Sequence, residues 1–539
     1  MKLWKSISIL LALVVINILA WKIVCRWDMT NDKRYSISPA TKALLQSLDH
    51  PLEITLFLDG ELNPGFTRLK KATKEITEEL NVYANISITE EGNTSDKYQL
   101  EPVIIHERTH KGQTAQTTIY PYALIKYKER QQLVNLLKNQ RGLSGEENLN
   151  NSIENLEYAF TEAIRSLTQT EIEKIAFLEG HGELSEPYVY DLTQTLAQYY
   201  QIDRGVLGTE VGILDGYKVV IIADPQEAFS ETDKYILDQY VMQGGRILWV
   251  MNGVRFSEDF LSSQGTTPII ALDLNINDLL FCYGARINHA LVQDLQCLPV
   301  PVDVSSDASQ PNWQPMPWTY APLLLTSQVS PITRNVSQVN ATMASAIDLV
   351  GGEDGLHKEI LLATSTASKM TATPARVDLS MGVDSEESFQ YAYIPVAVSL
   401  EGSFRSLFAH QLPPEGIIQN TAVIKQSAKT KQIIVAAGST IRNDVQQGQP
   451  IPLGYDRYTQ MQFGNKDLMV NSILYLADDQ GWMQLRKKDF SLRLINDQRA
   501  QQTRITAQII SIIIPLVILA LVGGVVTFVR RKQNIKKSK

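Results

Sequence analysis

Two side chains that could carry out acid–base chemistry, His181 and Glu183, stand in the glycine-containing stretch LEGHGE at residues 178–183. The stretch follows an apolar run, residues 174–178, that predicts a β-strand. Ligands often bind beyond the carboxyl ends of parallel strands, and glycine lets the backbone approach a ligand closely. The pair could act as an acid and a base or as metal ligands. The alternative is a tight loop whose histidine and glutamate bond to the local backbone.

Further polar residues follow two other predicted strands. Asp224 directly follows the apolar run at residues 218–223, and Gly438 and Arg442 follow a later one. Because parallel strands end at a common edge, we expect these residues to cluster with the His181 loop. His181, Glu183, Asp224 and Arg442 are therefore the candidate ligand-binding residues, although a structural salt bridge is the simpler role for Arg442. No G-x-S-x-G turn supplies a nucleophile, so we predict no catalytic residue.

Composition and motifs exclude several other functions. The chain has no G-x-x-x-x-G-K-[S/T] loop to hold nucleotide phosphates and no H-E-x-x-H motif, and only seven histidines could supply metal sites. An ATPase and a metallopeptidase are therefore disfavoured, and we predict no metal and no cofactor. The formal net charge of −8 argues against a nucleic-acid partner. Of the three cysteines, Cys282 and Cys297 could form one disulfide bond in an oxidising compartment or remain free.

The elements around the candidate residues alternate between strands and helices. Strands are predicted at residues 174–178, 218–223 and 246–251, with helices at 188–200 and 231–243. This alternation is typical of a doubly wound α/β sheet with parallel strands and crossover helices. A near-continuous apolar run such as VVIIA indicates a strand that is covered on both faces.

At 539 residues the chain is too long for one core, so we predict two domains between two membrane segments. The first, at residues 28–145, has a thioredoxin-like beginning but no C-x-x-C motif for dithiol chemistry. Residues 146–170 predict a linking helix. The second domain covers 171–480 with an irregular insertion near 255–345, and residues 481–504 form a juxtamembrane segment.

Both ends of the chain are apolar. Residues 505–529 contain no charged side chain and predict a transmembrane helix, and residues 1–27 predict an amino-terminal anchor. A cleaved signal peptide and a lipoprotein signal are less suitable, because small residues are missing at the positions where cleavage would occur. The tail at 530–539 carries six basic residues and no acidic one, which favours a cytoplasmic location for both ends.

Several segments together resemble the GldG family, the auxiliary or substrate-binding-type subunit of a gliding-motility-associated ABC transporter in Bacteroidota. They include FLEGHGE, VVIIADP, QYVMQGGRILWV, PLGYDRY and the carboxyl-terminal FGNKDLMVNSILYLADDQGWMQLRKK. The resemblance implies a mainly periplasmic chain in the inner membrane that crosses it twice. It also implies a non-catalytic central domain similar to glutamine amidotransferases, a Rossmann-like fold shared with an intraflagellar transport protein. The implied partners are an ABC ATPase, a multispanning permease and membrane lipid.

Three functions are consistent with these observations. The first is a non-enzymatic transporter subunit that binds a substrate or acts as a scaffold. The second is an anchored periplasmic protein that binds or modifies carbohydrate at the edge formed by His181, Glu183 and Asp224. The third is a structural membrane tether. An adjacent ATPase gene and permease gene would favour the first.

Overall fold

The computed structural model describes residues 37–60, 62–91, 100, 102–108, 114–138, 144–169, 172–303, 305, 312–351, 355–379, 385–418, 422–487 and 511–528. The chain divides into two compact units, Met1–Lys488 and Asp489–Lys539. The predicted amino-terminal anchor at 1–27 and the basic tail at 530–539 lie outside the described residues. The division of the first unit into two domains stays a prediction.

The amino-terminal part of the first unit is a small α/β sheet. The strand order is β2-β1-β5-β6, with β1 and β2 parallel and the other pairs antiparallel, while β3 and β4 form a separate hairpin. Ser38 caps the first helix and Pro39 occupies its first turn. The elements are α1 Pro39–Gln46, β1 Leu52–Leu56, α2 Pro64–Asn81, β2 Ile86–Glu90, β3 Val103–Arg108, β4 Thr114–Ile119, β5 Tyr122–Tyr127 and β6 Arg130–Asn135.

The linking segment is two helices rather than one. Helix α3 covers Gly145–Glu154 and helix α4 covers Leu156–Thr168, and Asn155 ends the first and begins the second. Ser144 and Glu147 form a capping box at the start of α3. The predicted single helix missed this break because the apolar periodicity continues across Asn155.

The remaining described elements of the first unit are helices, one large sheet and four small sheets of two or three strands. In chain order they are β7 Lys174–Glu179, α5 Glu186–Leu196, β8 Gln201–Val206, β9 Tyr217–Ala223, α6 Glu231–Met242, β10 Ile247–Val250, β11 Val254–Arg255, α7 Glu258–Gln264, β12 Thr266–Ala271, α8 Asn277–Tyr283, β13 Ala285–Asp294, β14 Cys297–Asp303, β15 Trp313–Thr326, β16 Val339–Asn340, β17 Ser345–Leu349, β18 His357–Ala363, β19 Ser368–Ala372, β20 Ala375–Asp378, β21 Pro395–Arg405, β22 Gln426–Val435, β23 Val445–Gln446, β24 Gln449–Pro450, β25 Tyr455–Asp456, β26 Met461–Gln462 and α9 Asn465–Ala477.

The large sheet is half parallel and half antiparallel. Its strand order is β14-β15-β18-β21-β22-β10-β9-β7-β8, with β16 also paired to β15. The five strands from β22 to β8 are parallel, and the strands from β21 to β14 continue the sheet in antiparallel pairs. The parallel half therefore agrees with the predicted strand and helix alternation.

Strand β9 shows why the parallel half is covered on both faces. Val219 and Ile221 pack in the core with α5 and α9, whereas Val220 and Ile222 pack in the opposite core with α6 and α8. All four side chains are fully buried. Because successive side chains of a strand point to opposite faces, a run of aliphatic residues fills both cores at once.

The predicted irregular insertion at 255–345 is wrong for most of its described residues. Strands β12, β13, β14 and β15 lie there, and β14 and β15 join the large sheet. Their prolines and a register shift between Cys297 and Pro299 disrupt the alternation that a sequence reading depends on.

The second unit contains one described helix, α10, at Ser511–Phe528. It is long and apolar enough to cross a membrane by length and composition. Eighteen residues at ~1.5 Å each span about 27 Å, close to the thickness of the hydrocarbon layer. This helix lies within the predicted segment 505–529.

Candidate functional site

The carboxyl end of β9 holds the most constrained of the candidate residues, Asp224. Its backbone adopts a left-handed conformation with a φ of 54°, which is uncommon for a residue with a side chain. Its backbone N–H donates to the Val250 carbonyl oxygen at 2.7 Å, which ties it to the end of the neighbouring strand. Only 9% of the residue is exposed.

The Asp224 carboxyl group is held from two adjacent strands. Asn252, two residues beyond β10, donates its side-chain amide to Asp224 Oδ1 at 2.9 Å. The Asn252 side-chain oxygen in turn accepts from the Gly438 N–H at 2.9 Å. A Cβ atom on Gly438 would lie 2.0 Å from Asp224 Oδ1, so only glycine leaves room for the carboxyl group. Asp224, Asn252 and Gly438 therefore form one contact across β9, β10 and β22.

Charge and burial set the protonation of Asp224. Burial raises its pKa to about 7, the positive charge of Arg442 acts against this rise, and the Glu258 carboxylate adds to it. A hydrogen bond from the Gln226 side chain to the carboxyl group also acts against the rise. The group can therefore donate or accept a hydrogen bond at neutral pH.

Arg442 lies on the exposed side of this contact. Its guanidinium group forms a salt bridge to Glu258 at 2.5 Å and lies 4.7 Å from the centre of the Tyr188 ring. Glu258 is more than half exposed, so this ion pair contributes little to stability. The salt bridge is the structural role that the sequence suggests for Arg442.

His181 lies in a separate, buried cluster of charges. Its Nδ1 is 3.1 Å from Glu183 Oε1, and its Nε2 is 3.3 Å from Asp233 Oδ2. The imidazole ring stacks on Phe229, with ring centres 3.9 Å apart. Burial acts to lower the pKa of His181, but the hydrogen bonds and charges of Asp233 and Glu183 outweigh it and raise the pKa to about 9. The charged histidine is thus bound by two carboxylates.

The second carboxylate comes from the start of helix α6. Ser230 caps this helix and forms a capping box with Asp233. Asp233 Oδ2 accepts from the Ser230 N–H as well as contacting His181. Burial opposes these contacts, yet together they lower the pKa of Asp233. One aspartate therefore caps the start of a helix and also neutralises the charge of the histidine.

The His181 loop also packs onto the loop after β9. The His181 carbonyl oxygen accepts from the N–H groups of Gln226 and Glu227, both at 2.8 Å, and the Leu184 N–H donates to the Ala223 carbonyl oxygen at 2.9 Å. These hydrogen bonds connect the loop after β7 to the end of β9 and the loop after it. The two loops meet at one edge as predicted, but the side chains of His181 and Asp224 have different partners.

The sequence reading missed Asn252, Asp233 and Phe229. Asn252 follows a predicted strand at the same edge, so the rule that pointed to Asp224 could have found it. Asp233 has a recognisable signal only as part of a helix cap. Phe229 carries no signal, because an aromatic residue before a helix is most often a core residue.

The two cysteines among the described residues, Cys282 and Cys297, are both free. Cys282 lies in α8, where its thiol donates to the Arg405 carbonyl oxygen at 3.3 Å. Cys297 begins β14 and pairs in register with Pro322 of β15. The two sulfur atoms therefore have different neighbours. In the part of the chain that the structure describes, no group of three or more His, Cys, Asp or Glu is arranged to hold a metal ion.

These features define a mixed α/β protein that has a polar, partly buried strand edge and, among its described residues, an apolar helix of membrane-spanning length. The sequence at residues 173–472, more than half of the chain, matches the family model described as an ABC-type uncharacterized transport system. The chain belongs to this family, and its role is therefore that of an accessory protein in ABC transport. Residues 31–126 match a domain of unknown function.

Two solved structures show a distant similarity. The mmIFT52 N-terminal domain is 16% identical, with a TM-score of 0.33, over 57% of this chain and 98% of that domain. The exo-β-1,4-mannosidase Op5Man5 from Opitutaceae bacterium strain TAV5 is 14% identical, with a TM-score of 0.19, over 53% of this chain and 35% of the enzyme. Both scores are too low to support an argument about function. No curated protein matches the sequence.

Proposed function

We propose that this protein is a non-catalytic, membrane-anchored auxiliary subunit of an ABC transporter of the GldG type, associated with gliding motility. The family match over residues 173–472 carries the proposal, because it covers the large sheet and its helices. The partners are a separate ATPase and a multispanning permease. This assignment agrees with the absence of a phosphate-binding loop from the sequence, since ATP hydrolysis then belongs to another subunit.

The contacts at the strand edge support a non-catalytic role. Both ring nitrogens of His181 face carboxylates, so no hydroxyl or thiol is paired with this potential base. The hydroxyl groups of Ser439 and Thr440, which follow β22, donate to the carbonyl oxygens of Thr342 and Ala437. A nucleophile next to a base is what covalent catalysis requires, and these residues have other partners.

The same edge is the proposed ligand-binding region. The Asp224 carboxyl group and the partly exposed ion pair of Arg442 supply the ligand contacts, one for a hydrogen-bonding group and one for an anionic group. His181 and Glu183 support the loop beside them through their buried charges. The proposed fold of this region is doubly wound and glutamine-amidotransferase-like, with the ligand beyond the carboxyl ends of its parallel strands.

The proposed topology has two membrane passes with the bulk of the chain, about residues 28–504, in the periplasm. Helix α10 is the second pass, and the amino-terminal segment at 1–27 is the first. The six basic residues of the tail at 530–539 favour a cytoplasmic end, and lipid surrounds both helices.

Reporter fusions test this topology. An enzyme that is active only in the cytoplasm should work when fused after Lys539 and should be inactive when inserted between Ser305 and Pro315. A reporter that is active only in the periplasm should give the opposite result at both positions, which controls for expression. Cytoplasmic activity at the inserted position would disprove the periplasmic location.

A further inference from the structure

The last described segment before the membrane helix, the 3-10 helix Trp482–Lys487, is bound to one face of helix α4. The Trp482 ring stacks on the Tyr158 ring, with centres 5.6 Å apart and planes at 19°. The Tyr158 hydroxyl donates to the Met483 sulfur at 3.5 Å. Trp482 is 4% exposed and Met483 is fully buried. This part of the chain is therefore a packed element and not a surface tail.

Two arginines complete the contact. The Arg165 guanidinium group lies 4.4 Å from the centre of the Trp482 ring, and that of Arg486 lies 5.2 Å from the centre of the Tyr158 ring. Arg486 also donates to the Asn471 side chain in α9 and, at 2.8 Å, to the Arg334 carbonyl oxygen. Arg486 thus connects α4, α9 and the segment that continues toward the membrane helix.

The opposite face of α4 belongs to the amino-terminal sheet. Leu156, Phe160, Ile164 and Leu167 pack in the core formed with β1, β5 and β6. Tyr158, by contrast, packs in the core of the large sheet. A single helix of 13 residues therefore connects the small sheet, the large sheet and the segment Trp482–Lys487.

The two faces of α4 differ in whether their buried polar atoms have hydrogen-bond partners. The side toward the amino-terminal part is mainly aliphatic and aromatic, and its buried Glu157 and Thr161 both hydrogen-bond to Thr41. On the other face, the buried Nε atom of Arg486 has no hydrogen-bond partner among the described residues, whereas the Arg165 side chain hydrogen-bonds to Tyr200. Glu162 lies on this face, and burial raises its pKa despite the nearby positive charges. Buried polar groups without partners carry a free-energy penalty, so this contact is less stable than the aliphatic one.

We propose that the contact between α4 and Trp482–Lys487 is a releasable latch, which opens as a local unit and lets the small sheet move relative to the large sheet. The closed state is stabilised by aromatic stacking and two cation–π contacts, and the unpaired Nε atom of Arg486 lowers the free-energy cost of opening. Displacement of the segment Trp482–Lys487 away from α4 would open it. The latch is a property of this chain alone, independent of any transporter partner.

Hydrogen exchange of the full chain in detergent tests the latch, using Trp482→Leu and Arg486→Gln. Either variant removes contacts with α4 and leaves the aliphatic face intact. We expect the amide hydrogens of α4 to exchange about tenfold faster, because loss of a buried cation–π contact shifts a local opening equilibrium by that order. Exchange in β9 and β10 should remain as in the wild type.

The matched control is Arg457→Gln. Arg457 also lies over a tyrosine ring, 4.8 Å from the centre of Tyr458, but both residues are exposed. This variant should not change exchange in α4. Unchanged exchange in α4 for both latch variants would overturn the proposal. Equally accelerated exchange in α4, β9 and β10 would also overturn it, since the contact would then open only with global unfolding. Arg486→Lys, which keeps the charge, provides a milder variant that should give an intermediate rate in α4.

Discussion

Replacing Gly438 with alanine is expected to lower the free energy of unfolding by about 2 to 3 kcal/mol. The new Cβ would lie 2.0 Å from Asp224 Oδ1, so the carboxyl group must turn away and lose its hydrogen bond from Asn252. The φ of Gly438 is not in the left-handed region, so this effect comes from the steric contact and not from backbone strain. Chemical denaturation of the full chain in detergent, followed by tryptophan fluorescence, measures it.

Gly205→Ala is the matched control for this prediction. A Cβ on Gly205 meets no atom within 4 Å, and its φ is also outside the left-handed region. Its free energy of unfolding should stay within about 0.5 kcal/mol of the wild type. A similarly small effect for Gly438→Ala would show that Asp224 is not held at this edge, and would remove the structural basis for the proposed ligand contact.

Replacing His181 with glutamine is expected to lower the free energy of unfolding by about 3 kcal/mol near pH 6. The variant leaves Glu183 and Asp233 without the positive charge between them, and the Glu183 side chain is only 2% exposed. The pKa of His181 is raised in the folded state to about 9, from a usual value near 6.5. Its stabilising contribution is therefore complete below about pH 6.5 and is lost as the pH rises through about 9.

Denaturation at several pH values tests this prediction. The difference between the wild type and His181→Gln should be largest at pH 6 and should shrink between pH 7 and pH 9.5. His410→Gln is the control, because His410 is exposed and is not part of this cluster. A difference that stays constant over the whole range would mean that His181 stabilises the loop by packing on Phe229 and not by its charge.

The parallel half of the large sheet was predictable because one physical rule determines its pattern. Strands β7, β9 and β10 are covered on both faces, so they appear in the sequence as short apolar runs. The helices between them show apolar residues at the spacing of a helix turn. Within the antiparallel half, strands β14 and β15 were missed. Strands β14 and β15 contain several prolines, and the exposed half of β15, from Trp313 to Pro317, shows no alternation of buried and exposed residues.

The sequence predicted which residues lie at the candidate edge, but it did not predict which side chains they contact. Strand ends placed His181 and Asp224 at one edge, yet nothing in the sequence links His181 to Asp233, which lies 52 residues later. That contact depends on where helix α6 begins in space. Long-range contacts such as that of Trp482 with Tyr158 cannot be predicted from the sequence for the same reason. They depend on how whole helices and strands pack.

Copurification tests the central claim most directly. The full chain, tagged and extracted from its own membranes in a mild detergent, should recover one ATPase subunit that has a phosphate-binding loop and one multispanning permease, in amounts comparable to its own. An unrelated two-pass membrane protein, tagged and extracted in the same way, should recover neither. If the intact chain is extracted in quantity and neither subunit accompanies it, also after chemical crosslinking in the membrane, the protein is not a stable auxiliary subunit of an ABC transporter.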